Sequence, residues 1–443
     1  MEKRRDSKKI TKHTKEVTSL EDTTLELRKK FTLKYAELVK YFPKIPEIAS
    51  REFAFLFWDR NYMIRHRGFT NPQHLLSELK NINPKHVYHS AALYKDPANK
   101  IMSEKGWMGC DFVVDIDADH MELSCQENHD YYICMKCDYV HREKVTKCQK
   151  CEGPIRKQIW LCDKCLEASK YEVIKLVDDF LPDFGFTKND IDLNFSGHRG
   201  YHVHLRDKFI RTLSSEERRQ MVDYITGTNF DPTDYLIYKS SNGYFIGTTI
   251  DDAGWKGRIA RNFLKILTTH DSIDSFNKEY SKYNLDTKIK QILLNPDNRN
   301  QLIHQLTIKN QYWTIKELAK GSWKKIKEFL IQVSMCDIDV PVSIDTHRLI
   351  RVQGSIHGKT GFLVKPLNYY DMVNFEPFSD PIIFSTEKEA CMKLEINTPI
   401  CPEIRIKDII YGPYKKHEQI EVPEAVAIFL TCKGVADLLS RGN

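Results

Sequence analysis

The chain has 443 residues with 41% hydrophobic and 29% charged side chains, the composition of a globular protein, and a length that suits two or three domain-sized units or one core with large insertions. Its longest apolar runs, such as Phe53-Ala54-Phe55-Leu56-Phe57-Trp58, fall far short of the ~20 residues a membrane span needs. No short repeat or sustained heptad marks a fibre, and a charged start with no apolar run behind it predicts no secretory signal. The net charge is only +6, and residues 1–15 supply most of it, with seven Lys or Arg against Glu2 and Asp6. Such a tail is expected to be disordered, either touching phosphates or simply staying solvated.

In chain order, a helix is expected from Leu20 to Phe42, stopped at Pro43. Arg51 to Trp58 is apolar and aromatic, and Tyr62 to His66 reads as a strand. Pro72 opens a short helix at the position that favours proline, and His86 to Leu93 reads as a strand. Asp111 to Asp117 is a strand with a β-branched interior. Cys125 to Cys165 is a loop-rich insertion, and Leu166 to Leu181 is a helix ended by Pro182. Short strands Asp192–Ser196 and Tyr201–Leu205 flank a glycine turn. Ser214 caps a helix to Thr226, with Glu217 completing a capping box. From Arg258 to Met335 the pattern is helical and polar, and strands return after Pro341. Strands and helices mix without regular alternation, which gives an α+β class.

Asp111, Asp115, Asp117 and Asp119 stand two or four residues apart, so a strand carries them on one face with Val113. Phe112, Val114 and Ile116 then point the other way, into a core. Clustered carboxylates raise one another's pKa and call for a cation. Magnesium or manganese suits hard oxygen ligands completed by substrate phosphates. The competing reading is a strand running into an acidic turn, and Asp111 and Asp119 fit that reading better. Val340-Pro341-Val342-Ser343-Ile344-Asp345 reads as a second apolar strand ending in one acid. Arg348, Arg351, His357 and Lys359 follow, and Thr346 to Tyr370 holds no acid at all. An acid for metal followed by cations for a triphosphate is what nucleotidyl transfer needs; a salt bridge is the plainer alternative. In Ser196-Gly197-His198-Arg199-Gly200-Tyr201-His202-Val203-His204 two glycines flank a basic tip. Such a turn is either an ordinary hairpin or a phosphate cradle in which Arg199 adds a bidentate contact.

Seven of the twelve cysteines lie between Cys125 and Cys165, six of them in three C-x-x-C pairs. Without a secretory signal this favours metal over disulfides. Cys134-x2-Cys137 and Cys148-x2-Cys151 make a complete four-thiolate site on their own, like a zinc ribbon. Lys136, Arg142, Lys144, Lys147 and Lys150 decorate it, either to meet a template strand or to keep it soluble. Cys110, Cys336, Cys391, Cys401 and Cys432 are isolated and read as buried small hydrophobes.

Three blocks occur in one order: Phe112 through Asp115-Ile116-Asp117-Ala118-Asp119-His120, Ser196 through His202, and Asp345 through Arg351 to Ser355-Ile356-His357-Gly358-Lys359-Thr360-Gly361. Together they resemble the catalytic small subunit of archaeal and eukaryotic DNA primases, the archaeal branch most of all. Tyr62 to Arg67 and Cys162-Asp163-Lys164-Cys165 match in place, so the resemblance runs over about residues 25 to 440. It implies a mixed α/β catalytic core over residues 21–256 and 341–443, a zinc-binding insertion over 121–166, and a helical subdomain over 257–340. It implies Asp115, Asp117 and Asp345 as metal-binding catalytic acids, with magnesium or manganese. Nucleotide contacts would come from Arg65, Ser196, Gly197, Arg199, His202, Arg348, Arg351 and His357. A family zinc site would fall on Cys125, His129, Cys162 and Cys165, beside the ribbon of Cys134, Cys137, Cys148 and Cys151; His141 in place of His129, or Cys125 as a bystander, are the open alternatives. The implied function is primer synthesis on single-stranded DNA from nucleoside triphosphates, with a primase large subunit as partner, in the cytoplasm, or in the nucleus of a eukaryote. A repair-type primase-polymerase of the same fold and a non-catalytic zinc-bearing nucleic-acid-binding protein are the alternatives.

Overall fold

The structure, a computed structural model, describes residues 20–38, 42–59, 62–228, 238–239, 245–309 and 312–439. The basic tail lies outside these residues. Helix and sheet are mixed throughout, as the α+β reading expects. Helix α1 (Leu20–Leu38) buries Leu27, Phe31 and Tyr35, which stand four apart on one stripe. Helix α2 (Pro72–Ile82) starts with Asn71 accepting the His74 amide and buries Leu75, Leu76 and Leu79.

Two antiparallel four-stranded sheets position the site. The first contains β1 (Phe53–Leu56), β2 (Met63–Arg67) and β3 (His86–Ser90). The expected strand His86–Leu93 breaks after Ser90, and β4 (Ala92–Tyr94) pairs instead with β5 (Trp107–Cys110). The second sheet is built on β6 (Phe112–Asp117). The cysteine-rich insertion holds α3 (Gln126–His129) and a three-stranded sheet of β7 (Tyr131–Cys134), β8 (Val140–His141) and β9 (Ile155–Gln158). Cys162 then caps α4 (Asp163–Lys175), its sulfur accepting the Cys165 amide. The hairpin strands β10 (Ile191–Phe195) and β11 (Gly200–Leu205) complete the centre of the second sheet. The Ser214 capping box opens α5 (Ser215–Thr226) as expected.

After a small hairpin, β12 (Tyr238–Lys239) with β13 (Phe245–Ile246), the chain is helical. It runs through α6 (Gly254–Thr269), α7 (Ile273–Tyr280), α8 (Thr287–Leu294), α9 (Pro296–Thr307) and α10 (Lys320–Ser334). The segment after it departs from expectation. Val340–Ile344 is a short helix, α11, not a strand. Proline is tolerated in a first helical turn, and a short apolar run does not by itself distinguish helix from strand. The chain then gives β14 (Leu349–Arg351) to the first sheet, beside β3, and β15 (Pro366–Leu367) to the second, beside β10. The acid-free segment therefore spans from one sheet to the other.

The two faces of β6 do different work. Phe112, Val114 and Ile116 enter the main core. Val113, on the face of the acids, packs with Val342 of α11 and Ile350 of β14 in a separate small cluster. That packing brings the segment after residue 338 against the carboxylate face.

Candidate active site

Across the second sheet, Gly200 stands opposite Asp117 and His202 opposite Asp115. Asp115 keeps 20% side-chain exposure. Burial, then the charges of Asp117 and Asp339, push its carboxyl up to about 7, against the pull of Arg351 and Arg348. Burial also pushes Asp117 up, opposed by Arg199, His120, Arg351 and Lys359. Two half-buried acids held against their charged forms are a site that a cation would stabilise.

The other two acids of the string have different surroundings. Asp111 is fully buried between Arg51 (2.7 Å), Arg206 (3.2 Å) and Arg211 (2.7 Å). Burial pushes its pKa up, but these arginines prevail and hold it at about 2. Asp119 donates its amide to Asp117 Oδ1 (2.9 Å) and pairs with Arg199.

Two acids flank α11. The Asp339 amide donates to the Asp115 carbonyl (2.8 Å), and its charge acts on the Asp115 carboxyl. Asp345 stands at the other end of α11, about 9 Å further along a helical rise of 1.5 Å per residue. It is exposed, accepts the His347 amide (2.8 Å), and its charge falls on Tyr94 and Cys110. Asp339 is therefore a further carboxylate beside Asp115, at the opposite end of α11 from the expected Asp345.

The glycine turn also differs from expectation at one residue. Ser196 Oγ accepts the amides of His198 and Gly200, both at 3.3 Å, and Gly197 takes φ +81°. An ideal Cβ on Gly197 would lie 2.7 Å from His357 Cβ, so the turn and the His357 segment touch through a bare backbone. Arg199 was expected to reach phosphate, but its side chain has no exposure. Its guanidinium binds Asp119, both oxygens of Asp130 (3.2 and 3.3 Å) and the Trp160 carbonyl (3.0 Å). A fork so engaged is not available as the exposed tip of a cradle.

Around the acids lies a group of buried imidazoles and cations. His202 Nε2 is 3.7 Å from Asp115 Oδ1, and its Nδ1 has no hydrogen-bond partner among the described residues. His198 stacks on His357 (ring centroids 5.2 Å), and His357 meets His86 edge-on (5.0 Å). Burial holds all four imidazoles well below their ordinary pKa. Lys433 Nζ donates to His198 Nε2 (2.9 Å), and Arg351 Nη1 donates to His86 Nδ1 (2.8 Å). Arg348, Arg351, Lys359 and Lys433 form no ion pair among the described residues. Arg65, by contrast, is held by Glu52 (2.9 Å) and is 38% exposed. Sequence reasoning missed Asp339, His86 and Lys433. The first was visible as an acid just before Pro341; the other two stand in no motif and meet the site only through folding.

Three groups among the described residues bring ligand atoms within 4.8 Å of one another. One is Cys125, His129, Cys162 and Cys165, and another is Cys134, Cys137, Cys148 and Cys151. In the first, Cys125 and Cys165 sulfurs are 3.5 Å apart and His129 Nε2 is 3.4 Å from Cys165 Sγ. In the second, Cys134–Cys151, Cys137–Cys148 and Cys137–Cys151 separations are 3.4, 3.7 and 3.3 Å. The edges of a tetrahedron around zinc, with Zn–S near 2.3 Å, are about 3.8 Å, so both sets fit that ion. A Cβ on Gly153 would lie 3.0 and 3.2 Å from the Cys134 and Cys151 sulfurs, which explains the glycine. His141 belongs to neither group and packs on Tyr139. The third group joins Asp117 and Asp119 with His198. Of the isolated cysteines, Cys110, Cys336, Cys401 and Cys432 are buried and Cys391 is half-buried.

The described residues hold no helix long and apolar enough to cross a membrane. A family model described as DNA primase small subunit matches residues 138–369. The DNA primase small subunit PriS of Methanocella arvoryzae is 32% identical, over 94% of this chain and 99% of its own. Those of Methanosarcina mazei and Methanosarcina acetivorans are each 31% identical, over 89% of this chain and 92% of theirs. The match to the family model and the near full-length similarity agree with the acid strand, the glycine turn and the cation-rich segment: the chain belongs to the DNA primase small subunit family, in its archaeal type.

Proposed function

We propose that this chain is the catalytic subunit of a primase, joining nucleotides on a single-stranded DNA template into short primers. The observation that carries the reading is the meeting of Asp115 and Asp117 with Arg348, Arg351 and Lys359, cations that form no ion pair among the described residues. Acids in need of cations beside cations in need of an anion are the two halves of a metal–triphosphate site. Asp115, Asp117 and Asp345, with Asp339 close to Asp115, would hold magnesium or manganese; when bound, such ions favour attack of a 3′-hydroxyl on the α-phosphate and departure of pyrophosphate.

The chain's own groups do the rest. Arg351 and Lys359 offset charge on the leaving phosphates, and Arg348, just before β14, acts with Arg351 on the charge of Asp115. His357 and His198, neutral and stacked, present N–H groups rather than charge. Ser196 and Gly197 hold the turn open to phosphate oxygens, and His202 faces Asp115 from the neighbouring strand. Arg65 extends the basic rim. The two cysteine groups bind zinc as structural ions, one per group, and the 121–166 insertion is their arm. Residues 21–256 and 341–443 act as one core, with 257–340 a helical subdomain. A primase large subunit is the expected partner, and the cytoplasm the expected compartment.

The test is incorporation of labelled nucleotide on an unprimed single-stranded DNA template with magnesium or manganese, by the chain alone and with its large subunit. Incorporation that disappears in Asp115→Asn and Asp117→Asn supports the reading. Absence of incorporation by the unaltered protein in both settings would reject it.

A further inference from the structure

The inner cysteine group and the catalytic strand are connected through one buried side chain. Arg199 binds Asp119, two residues beyond the catalytic-strand acid Asp117, and Asp130, next in sequence to His129. Asp130 is itself 8% exposed, and its Oδ1 accepts both His129 Nδ1–H (2.9 Å) and the Trp160 amide (3.0 Å). With Nδ1 so engaged, His129 turns its Nε2 lone pair toward the thiols. A second connection runs through the backbone. The Arg199 carbonyl accepts Ser169 Oγ (2.7 Å), and the same hydroxyl reaches the Cys165 carbonyl (3.1 Å). That Arg199 carbonyl also accepts the Ala118 amide (3.2 Å), next to Asp117. His129 thus leads to Arg199 in two bonds through Asp130, the Ser169 hydroxyl lies between the Cys165 and Arg199 carbonyls with one proton to share, and Arg199 leads to the acid strand on both its side chain and its backbone. The outer group of Cys134, Cys137, Cys148 and Cys151 makes no such bond among the described residues.

Partners that orient a metal-bound histidine commonly change metal affinity by about 10- to 100-fold when removed. A carboxylate shared between such a histidine and a buried guanidinium ties the position of one to the other. We infer that Asp130 and Arg199 form a strut through which zinc in the Cys125–His129–Cys162–Cys165 group sets the position of Asp117 and of the Ser196–Gly200 turn. Asp130 is a positioning residue. The inner zinc acts on nucleotide binding, and the outer zinc does not. This rests on the reading that the acid strand and the turn form the nucleotide site.

The experiment follows zinc and nucleotide binding together in the full chain. Cys137→Ser/Cys148→Ser removes the outer site, so any zinc left is in the inner group. This variant should bind nucleoside triphosphate, measured by equilibrium binding with calcium to prevent turnover, as the unaltered protein does. Timed chelation of it, with released zinc read by a metallochromic dye, should lower nucleotide affinity about tenfold in step with zinc loss. Restored zinc should restore the affinity. Asp130→Asn should release inner zinc at least tenfold faster and show raised nucleotide KM with a smaller change in kcat, eased by excess zinc. If Asp130→Asn fails to fold, the chelation series decides alone. Unchanged nucleotide affinity after inner zinc has left would overturn the strut, as would an equal loss in the outer-site variant before chelation. Failure of the unaltered protein to incorporate nucleotide would instead reject the proposed function.

Discussion

Replacing Gly200 by alanine should damage catalysis more than its size suggests. Gly200 opens β11 opposite Asp117, where the two strands approach so closely that an added Cβ would lie 2.2 Å from the Ile116 carbonyl oxygen and 2.8 Å from Asp117 Cα. An ordinary carbon–oxygen contact is about 3.3 Å, so β6 and β11 must separate by roughly 1 Å at the acid. Backbone cannot yield as a flexible side chain does. Overpacking of this kind costs about 1–3 kcal/mol. Displacing a reacting group by about 1 Å can cost on the order of 10²-fold in rate. Urea unfolding and steady-state incorporation, with rates scaled to the folded fraction, separate the two effects. The expected outcome is a folded but less stable protein whose turnover falls about 100-fold. Gly321→Ala is the internal control: nothing lies within 4 Å of its added Cβ in α10, and loss of an exposed helical glycine should stabilise by about 0.5–1 kcal/mol. Near-normal turnover of Gly200→Ala would refute the claim that this strand contact fixes the acid.

Arg351→Ala and His357→Ala should raise nucleotide KM while leaving template affinity and its salt dependence nearly unchanged, as separate titrations of nucleotide and template would show; a defect confined to template would contradict the phosphate assignment. Elemental analysis of chelating-resin-treated protein should find two zinc ions per chain, and one would mean that a cysteine group is metal-free. Asp111→Asn should destabilise strongly, by about 3–5 kcal/mol, because it leaves Arg51, Arg206 and Arg211 buried around a neutral group. In the unaltered protein the folded Asp111 pKa of about 2 lies below its ordinary 3.8. Its contribution is therefore full above about pH 4 and lost as pH falls toward 2, worth about 2 kcal/mol. Acid unfolding curves of protein and variant should converge in that window.

How far this architecture can be read from the chain differs from element to element. The alternation of Phe112, Val114 and Ile116 with the acids identifies both the strand and its two faces, because period two leaves a strand no other way to bury three apolar residues. The Ser214 capping box and the cysteine spacings are equally local and equally legible. Val340–Ile344 is not, since five residues with a proline satisfy either conformation, and packing of Val342 on Val113 decides. Read as a strand, the segment displays only the acid at its end, Asp345, and hides Asp339, which the fold sets beside Asp115. Arg199 shows a different limit. Its place in a glycine turn marks it as a phosphate fork, but Asp119 and Asp130 compete for it, and no local pattern announces a carboxylate 69 residues away in sequence. Lys433 reaches His198 across 235 residues, a pairing set wholly by the fold.

The acid assignment at the centre of this account is tested most directly by measuring primer synthesis on single-stranded DNA with Asp115→Asn, Asp117→Asn, Asp339→Asn and Asp345→Asn side by side, each shown to be folded. Loss of a group that stabilises developing charge usually costs about 10²–10³ in rate. Asp115→Asn, Asp117→Asn and Asp345→Asn should fall by at least that much. A near-normal Asp345→Asn beside an inactive Asp339→Asn would contradict the account and move the third acid to the start of α11.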